Sequence, residues 1–157
     1  MLLVSACLAG LKVRYDGGDC LHHTIEQLVS QNKATTVCPE VLGGLPTPRI
    51  PAEIIGGDGE DVLNGKAKVI DKSGNDVTDA FLQGAYQTLE IARELNVTHV
   101  ILKENSPSCG SGMIYDGQFQ GVKKVGKGVT AALLERNGMI VATDENIDDI
   151  IEYIEKQ

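Results

Sequence analysis

The residues best equipped for chemistry in this sequence are its thiols. Cys7, Cys20, Cys38 and Cys109 are the only cysteines in 157 residues. Cys109 stands in "KENSPSCGSGMIYDG", between Pro107 and Gly110, in a run too rich in breakers to be helix or strand. A thiol that only packs normally belongs to a regular element, so one displayed on a turn raises the question of what it binds or attacks. Cys7, Cys38 and Cys109 are separated by 31 and then 71 residues with no CxxC pair, which fits neither a zinc ribbon nor a thioredoxin-like redox motif. An iron-sulfur cluster accepts ligands scattered along a chain provided they converge in space, and a 4Fe-4S cube held by three thiolates leaves one iron open. Spacing alone equally admits three buried, inert core cysteines.

The elements that would position these thiols follow an alternating pattern. Short apolar runs at residues 2 to 6, 34 to 38, 98 to 103 and 139 to 143 have the composition of buried strands. "KAKVID" (66 to 71) reads as a further strand that runs into a turn at "KSGN". Helical spacing recurs over 23 to 32, where Ile25, Leu28 and Val29 align. It recurs after Thr78, a candidate cap for a helix whose Phe81, Ala85, Leu89, Ala92 and Leu95 share a face. A helix over 130 to 138 is stopped by Gly138, and an amphipathic helix closes the chain over 146 to 156 with Ile147, Ile150, Ile151 and Ile154 in register. Alternation of this kind predicts an α/β sandwich around a mostly parallel sheet. Two long segments, 38 to 61 and 104 to 128, read as ordered loops rich in Pro and Gly. Cys7 follows the first strand, Cys38 ends the second and Cys109 lies six residues beyond the third, so three thiols gather at the carboxyl edge of the sheet, where open α/β sheets bind ligands.

Composition narrows the partners. A chain of this length buries one core, and a single domain over 1 to 157 is expected. A formal charge of −8, no Trp and only six Phe and Tyr disfavour nucleic-acid polymers and acidic membranes. "MLLVSAC" imitates a lipoprotein cleavage box, but no Lys or Arg precedes the apolar run and Cys7 comes too early, so neither a leader nor a membrane span is expected. In a cytoplasmic, reducing setting the cysteines read as metal ligands or reactive thiols rather than disulfides.

Four stretches carry a resemblance over residues 4 to about 143: "VSACLAGLKVRYDGG", "CPEVLGGLPTPRIPAEI", "GKAKVIDKSGNDVTDAF" and "LKENSPSCGSGMIYDGQFQG", the last followed by "GVTAALLERNG". Together they resemble the thiouracil desulfidase family. The resemblance implies a Rossmann-like domain with long cysteine-bearing loops and an oxygen-sensitive 4Fe-4S cluster on Cys7, Cys38 and Cys109. Its open iron would take sulfur from a small thiolated nucleobase. It also implies Glu40 of "CPE" as the catalytic glutamate and Ser106 of "SPSCG" as the catalytic serine. Cys20 lies outside that ligand set, and Val13 stands where some members carry another cysteine. The chemistry of desulfuration suits these residue types: a soft acceptor for sulfur, a carboxyl group and hydroxyl to move protons, and water to supply oxygen. Read without the family, Glu40 is equally a loop-bonding carboxylate and Ser106 a turn cap. A noncatalytic cluster or sulfide carrier, needing the thiols but not Glu40, is the alternative function.

Other stretches are weaker. "RYDGG" (14 to 18) lends Arg14 or Asp16 to a polar substrate or is simply a glycine-closed turn. "CLHH" (20 to 23) has donor side chains at a spacing that suits no standard zinc site. Arg49 of "PTPRIP" forms a rigid loop wall or pairs with Glu53. "GVKKVGKG" (121 to 128) nearly matches a phosphate-binding loop, but Gly128 replaces the magnesium-binding Ser or Thr.

Overall fold

The computed structural model describes residues 2–18, 21–145, 147 and 152. Four of its strands, β1 (Leu2–Ser5), β2 (Ala34–Val37), β5 (His99–Leu102) and β8 (Ile140–Thr143), form one all-parallel sheet in the order β2-β1-β5-β8. These are the four apolar runs expected to make the core. All four residues of β1 are buried, because a parallel strand carries cover on both faces and has no polar side to show.

The period-2 alternation of side chains sorts the core into two layers. Leu3, Val37, Val100 and Leu102 point to the face packed by Phe81, Ala85 and Leu89 of α4 (Thr78–Glu94) and by Leu133 and Leu134 of α5 (Val129–Arg136). Leu2, Val4, Ala34 and Ile101 point to the other, which holds Ile25 of α1 (His23–Ser30) together with Ile147. Only Ile147 and Glu152 of the expected closing helix lie among the described residues, and Ile147 is buried.

Several local expectations are corrected. Thr78 is the first helical residue of α4 rather than its cap. Its hydroxyl donates to the Val69 carbonyl at 3.4 Å and accepts from the Val69 amide at 2.9 Å, while Asp76 accepts the Thr78 N–H at 2.9 Å. Leu95 falls just past the last turn and is exposed. The two segments read as loops contain short elements. The first holds α2 (Pro39–Leu42), β3 (Ala52–Ile55) and α3 (Gly59–Leu63), and β3 pairs antiparallel with β4 (Lys68–Asp71) apart from the core sheet. The second holds the hairpin of β6 (Met113–Tyr115) and β7 (Lys123–Val125). α5 ends where expected, with Gly138 in the left-handed region at φ 85°.

Candidate functional site

The chain leaves β1 toward β2 on one side and returns to β5 on the other, so strand order reverses at β1 and a crevice opens beyond its carboxyl end. The expected thiols arrive there. Cys7 lies in a single 3-10 turn, Ala6–Ala9, directly after β1, and Cys38 is the N-cap of α2 directly after β2. Cys109 hangs in the loop after β5. All three line a cavity of about 670 Å³, together with Glu40, Arg49 and Ser106.

The Cys109 loop is held from two sides. The first amides of α5, which have no partner within their own helix, are taken by the loop: Val129 N–H donates to Pro107 O and Thr130 N–H to Ser108 O, both at 2.8 Å. Gly128, the N-cap of α5, packs so closely that a Cβ there would stand 2.5 Å from the Ser108 carbonyl and 2.8 Å from the Cys109 nitrogen. On the other side the buried carboxylate of Glu104 accepts backbone N–H groups from Asn105 (3.1 Å) and Ser111 (2.9 Å), with longer bonds of 3.4 Å from Gly112 and Met113. One Glu104 oxygen thus accepts amides from both ends of this turn. The sequence reading missed Glu104 and the packing role of Gly128. Their signal was a glycine-rich turn next to an acid, followed by a glycine at a helix start.

Glu40 sits in the first turn of α2, two residues beyond Cys38. Its Oε1 accepts the Ser106 hydroxyl at 3.1 Å, and its Oε2 accepts Arg49 Nε at 2.6 Å and pairs with Arg49 Nη2 at 2.5 Å. Ser106 also accepts the N–H groups of Ser108 (3.0 Å) and Cys109 (3.2 Å), so its hydroxyl is both a turn cap and a partner of Glu40. One donor and two lone pairs are all a serine hydroxyl has. Of its two sequence readings Arg49 takes the first, a place in the cavity wall, and does not pair with Glu53. Glu53 is buried and accepts the amides of Gly117 (2.9 Å) and Phe119 (3.3 Å). α2 itself is set by a glycine contact with α4: a Cβ at Gly84 would stand 2.9 Å from the Pro39 carbonyl carbon, well inside contact distance.

Electrostatics draw the thiols together as one unit. Burial pushes the Cys109 thiol well above its ordinary value of 9.0, and the negative charges of Glu40, Cys38 and Cys7 push it further. Burial likewise raises Cys38, with the charge of Glu40 adding to it and the Val41 amide and Arg49 opposing it. Two thiols that resist ionising, Cys38 and Cys109, make a site that a soft cationic group would stabilise. Among the described residues no group of three or more His, Cys, Asp or Glu side chains is gathered to hold a metal ion.

The weaker candidates resolve as structure. "RYDGG" is a glycine-closed turn: Asp16 accepts the Gly18 amide at 2.8 Å and lies 3.9 Å from Arg14. Arg14 and Tyr15 form part of the cavity wall. Of "CLHH", Cys20 lies outside the described residues. "GVKKVGKG" runs through β7 and ends at the α5 N-cap, where loop carbonyls occupy the amides a phosphate would need.

An open parallel sheet whose switch-point crevice is lined by three thiols and a carboxylate–hydroxyl pair defines an α/β protein with a thiol-based site at the strand ends. The sequence pattern of the 2-thiouracil desulfurase family matches residues 2–146, and the chain belongs to that family. It is 55% identical over 151 residues to "Uncharacterized protein YbbK" of Bacillus subtilis (strain 168), a match covering 96% of this chain and 100% of that protein. A solved structure titled "[4Fe-4S]-dependent thiouracil desulfidase TudS" superposes with a TM-score of 0.87 at 40% identity, covering 99% of this chain and 98% of that one.

Proposed function

We propose that this protein is a 4Fe-4S-dependent desulfidase that converts a small thiolated base of the thiouracil type to its oxo form, with Cys7, Cys38 and Cys109 as the cluster ligands. The observation that carries the reading is the Ser106–Glu40 hydrogen bond at 3.1 Å, which joins the loops of two of the three thiols across the cavity they line. A carrier would need the thiols but not a carboxylate aimed between them. The donor set fits the cluster: three buried or half-buried thiols, free of disulfides, face one cavity. When bound, the cluster supplies a soft, Lewis-acidic iron free of protein thiolate for the substrate sulfur.

The protein's own groups handle the protons. Water adds its oxygen to the thiocarbonyl carbon, Glu40 Oε1 accepts one water proton and returns it to sulfur as the carbon–sulfur bond breaks, and the proton left on the new carbonyl oxygen passes through solvent to the released hydrosulfide. Thiocarbonyl and water become carbonyl and hydrogen sulfide with no net change of oxidation state. Ser106 holds Glu40 Oε1 toward Cys109 and yields its hydrogen bond when water takes that place. No helix among the described residues is long and apolar enough to cross a membrane. A cluster sensitive to oxygen fits a cytoplasmic setting. The test is anaerobic reconstitution followed by a sulfide assay with 2-thiouracil and 4-thiouracil: release that scales with iron content supports the reading, and none from the loaded protein overturns it.

A further inference from the structure

Arg49 is a cavity residue that the proposed desulfuration leaves unused. Its side chain is only 8% exposed, although it belongs to a loop at the cavity wall. The guanidinium is engaged on every nitrogen. Nε and Nη2 both converge on Glu40 Oε2, at 2.6 and 2.5 Å, and Nη1 donates to Val13 O at 3.0 Å, with Pro46 O and Thr47 Oγ1 each at 3.3 Å. The Arg49 amide adds a bond to Tyr15 O at 2.6 Å. Val13 O also accepts a hydrogen bond from the Cys38 thiol, at 4.0 Å. One side chain therefore ties α2, the loop after β1 and its own loop into a single wall. With these nitrogens committed to the protein, Arg49 is poorly placed to recognise substrate.

The consequence for Glu40 is asymmetric. A glutamate carries three rotatable bonds, and a carboxylate free to turn presents either oxygen in many directions. Here a planar fork grips Oε2, and a lone hydroxyl, Ser106, holds Oε1. We propose that Arg49 is a positioning residue that acts through Glu40: by fixing Oε2 it leaves Oε1 as the one oxygen presented to the cavity. This rests on the desulfidase reading for its kinetic consequences but not for its structural one. Lysine could not replace it, because a point charge lacks the two fixed N–H groups that converge on Oε2 and the third nitrogen that ties them to Val13 O.

The experiment uses the full chain, reconstituted anaerobically, as wild type, Arg49→Ala, Arg49→Lys, Glu40→Gln and the Arg49→Ala/Glu40→Gln double variant. Arg49→Ala should keep its iron and lose kcat by roughly a hundredfold, the scale of misplacing a reacting group by about 1 Å, with KM changed less than about twofold. Added guanidinium should restore part of that loss in Arg49→Ala, and methylammonium should not. Arg49→Lys should stay low. In the Glu40→Gln background, Arg49→Ala should cost nothing further and guanidinium should have no effect, because the residue through which Arg49 acts is gone. Additive losses, or a loss confined to KM, would overturn the proposal. A crystal structure of Arg49→Ala supplies a readout independent of turnover. Glu40 should leave its place beside Ser106, and a Glu40 unmoved there refutes positioning whatever the kinetics. If wild type carries a full cluster and releases no sulfide while Glu40 moves in Arg49→Ala, the desulfidase reading fails and the positioning role stands.

Discussion

Replacing Gly128 by alanine tests whether the Cys109 loop is set by its contact with α5. The backbone at Gly128, φ −72° and ψ 168°, accepts alanine without strain, so the effect is steric. The new Cβ would lie 2.5 Å from the Ser108 carbonyl carbon and oxygen and 2.8 Å from Cys109 N. Ordinary contact between such atoms is ~3.5 Å, so loop and helix must part by about 1 Å. All the opposing atoms are backbone, so no flexible side chain can swing aside. A parting of that size stretches the bonds from Val129 N to Pro107 O and Thr130 N to Ser108 O, both now 2.8 Å, beyond useful length. Overpacking at ~1–3 kcal/mol and two lost hydrogen bonds at ~1 kcal/mol each give roughly 3–5 kcal/mol. For a chain of this size that lowers Tm by about 6–20 °C. Gly138→Ala is the control: it has φ 85° and open space around its Cβ, so it should lose only ~1 kcal/mol and no iron. Thermal unfolding of the apoproteins and iron content after anaerobic reconstitution are the measurements. Gly128→Ala should bind substantially less iron than wild type, because Cys109 has moved. A full iron complement with Tm within about 2 °C of wild type would refute the reasoning.

Glu40→Gln should keep its iron and its absorption near 400 nm while sulfide release falls by ~10²-fold or more, the scale for removing a proton-transfer group. Ser106→Ala frees the amides of Ser108 and Cys109 as well as Glu40 Oε1, so it should lower both Tm and turnover, with the stability loss of about 1–3 kcal/mol visible in the apoprotein. In the apoprotein the raised Cys109 and Cys38 values contribute stability below the ordinary thiol value of 9.0 that is lost as pH rises toward the folded values; apoprotein Tm should therefore drop above pH 9. Cys109→Ser and Cys38→Ser should each weaken that drop. Gly84→Ala should push α2 off α4 and reduce activity despite the better helix propensity of alanine, and a Gly84→Ala protein as active and as stable as wild type would contradict the proposed seat of Glu40.

β1 and β5 were legible because strands buried on both faces are short, continuous apolar runs, whereas β2 and β8, at the edges of the sheet, carry threonine and are only partly buried. That Cys7, Cys38 and Cys109 share an edge followed from their positions just past three of these strands. The hairpin strands were hidden for the opposite reason. β6 and β7 have three residues each, too few to display a period, and β3 carries the buried Glu53, whose partners lie 64 and 66 residues away. α2 has four residues and no helical repeat to read. α3, with five residues, also falls in a segment that reads as loop, although Asp58 and Asp61 form a capping box with aspartate in the place usually given to glutamate or glutamine. The choice of Glu40 over Glu53 by Arg49 could not be read from spacing, since both carboxylates lie within ten residues and only the fold decides which one faces the guanidinium.

The most direct test of the desulfidase reading is the amount of sulfide released from 2-thiouracil or 4-thiouracil per iron-sulfur cluster, measured anaerobically on the reconstituted full chain. Many equivalents of sulfide per cluster, matched by the oxo base and abolished in Cys7→Ala, Cys38→Ala and Cys109→Ala, is the predicted result. Release that stops at one equivalent per cluster, or none at all from protein with a full complement of iron, would contradict catalysis and leave a carrier of cluster or sulfide in its place.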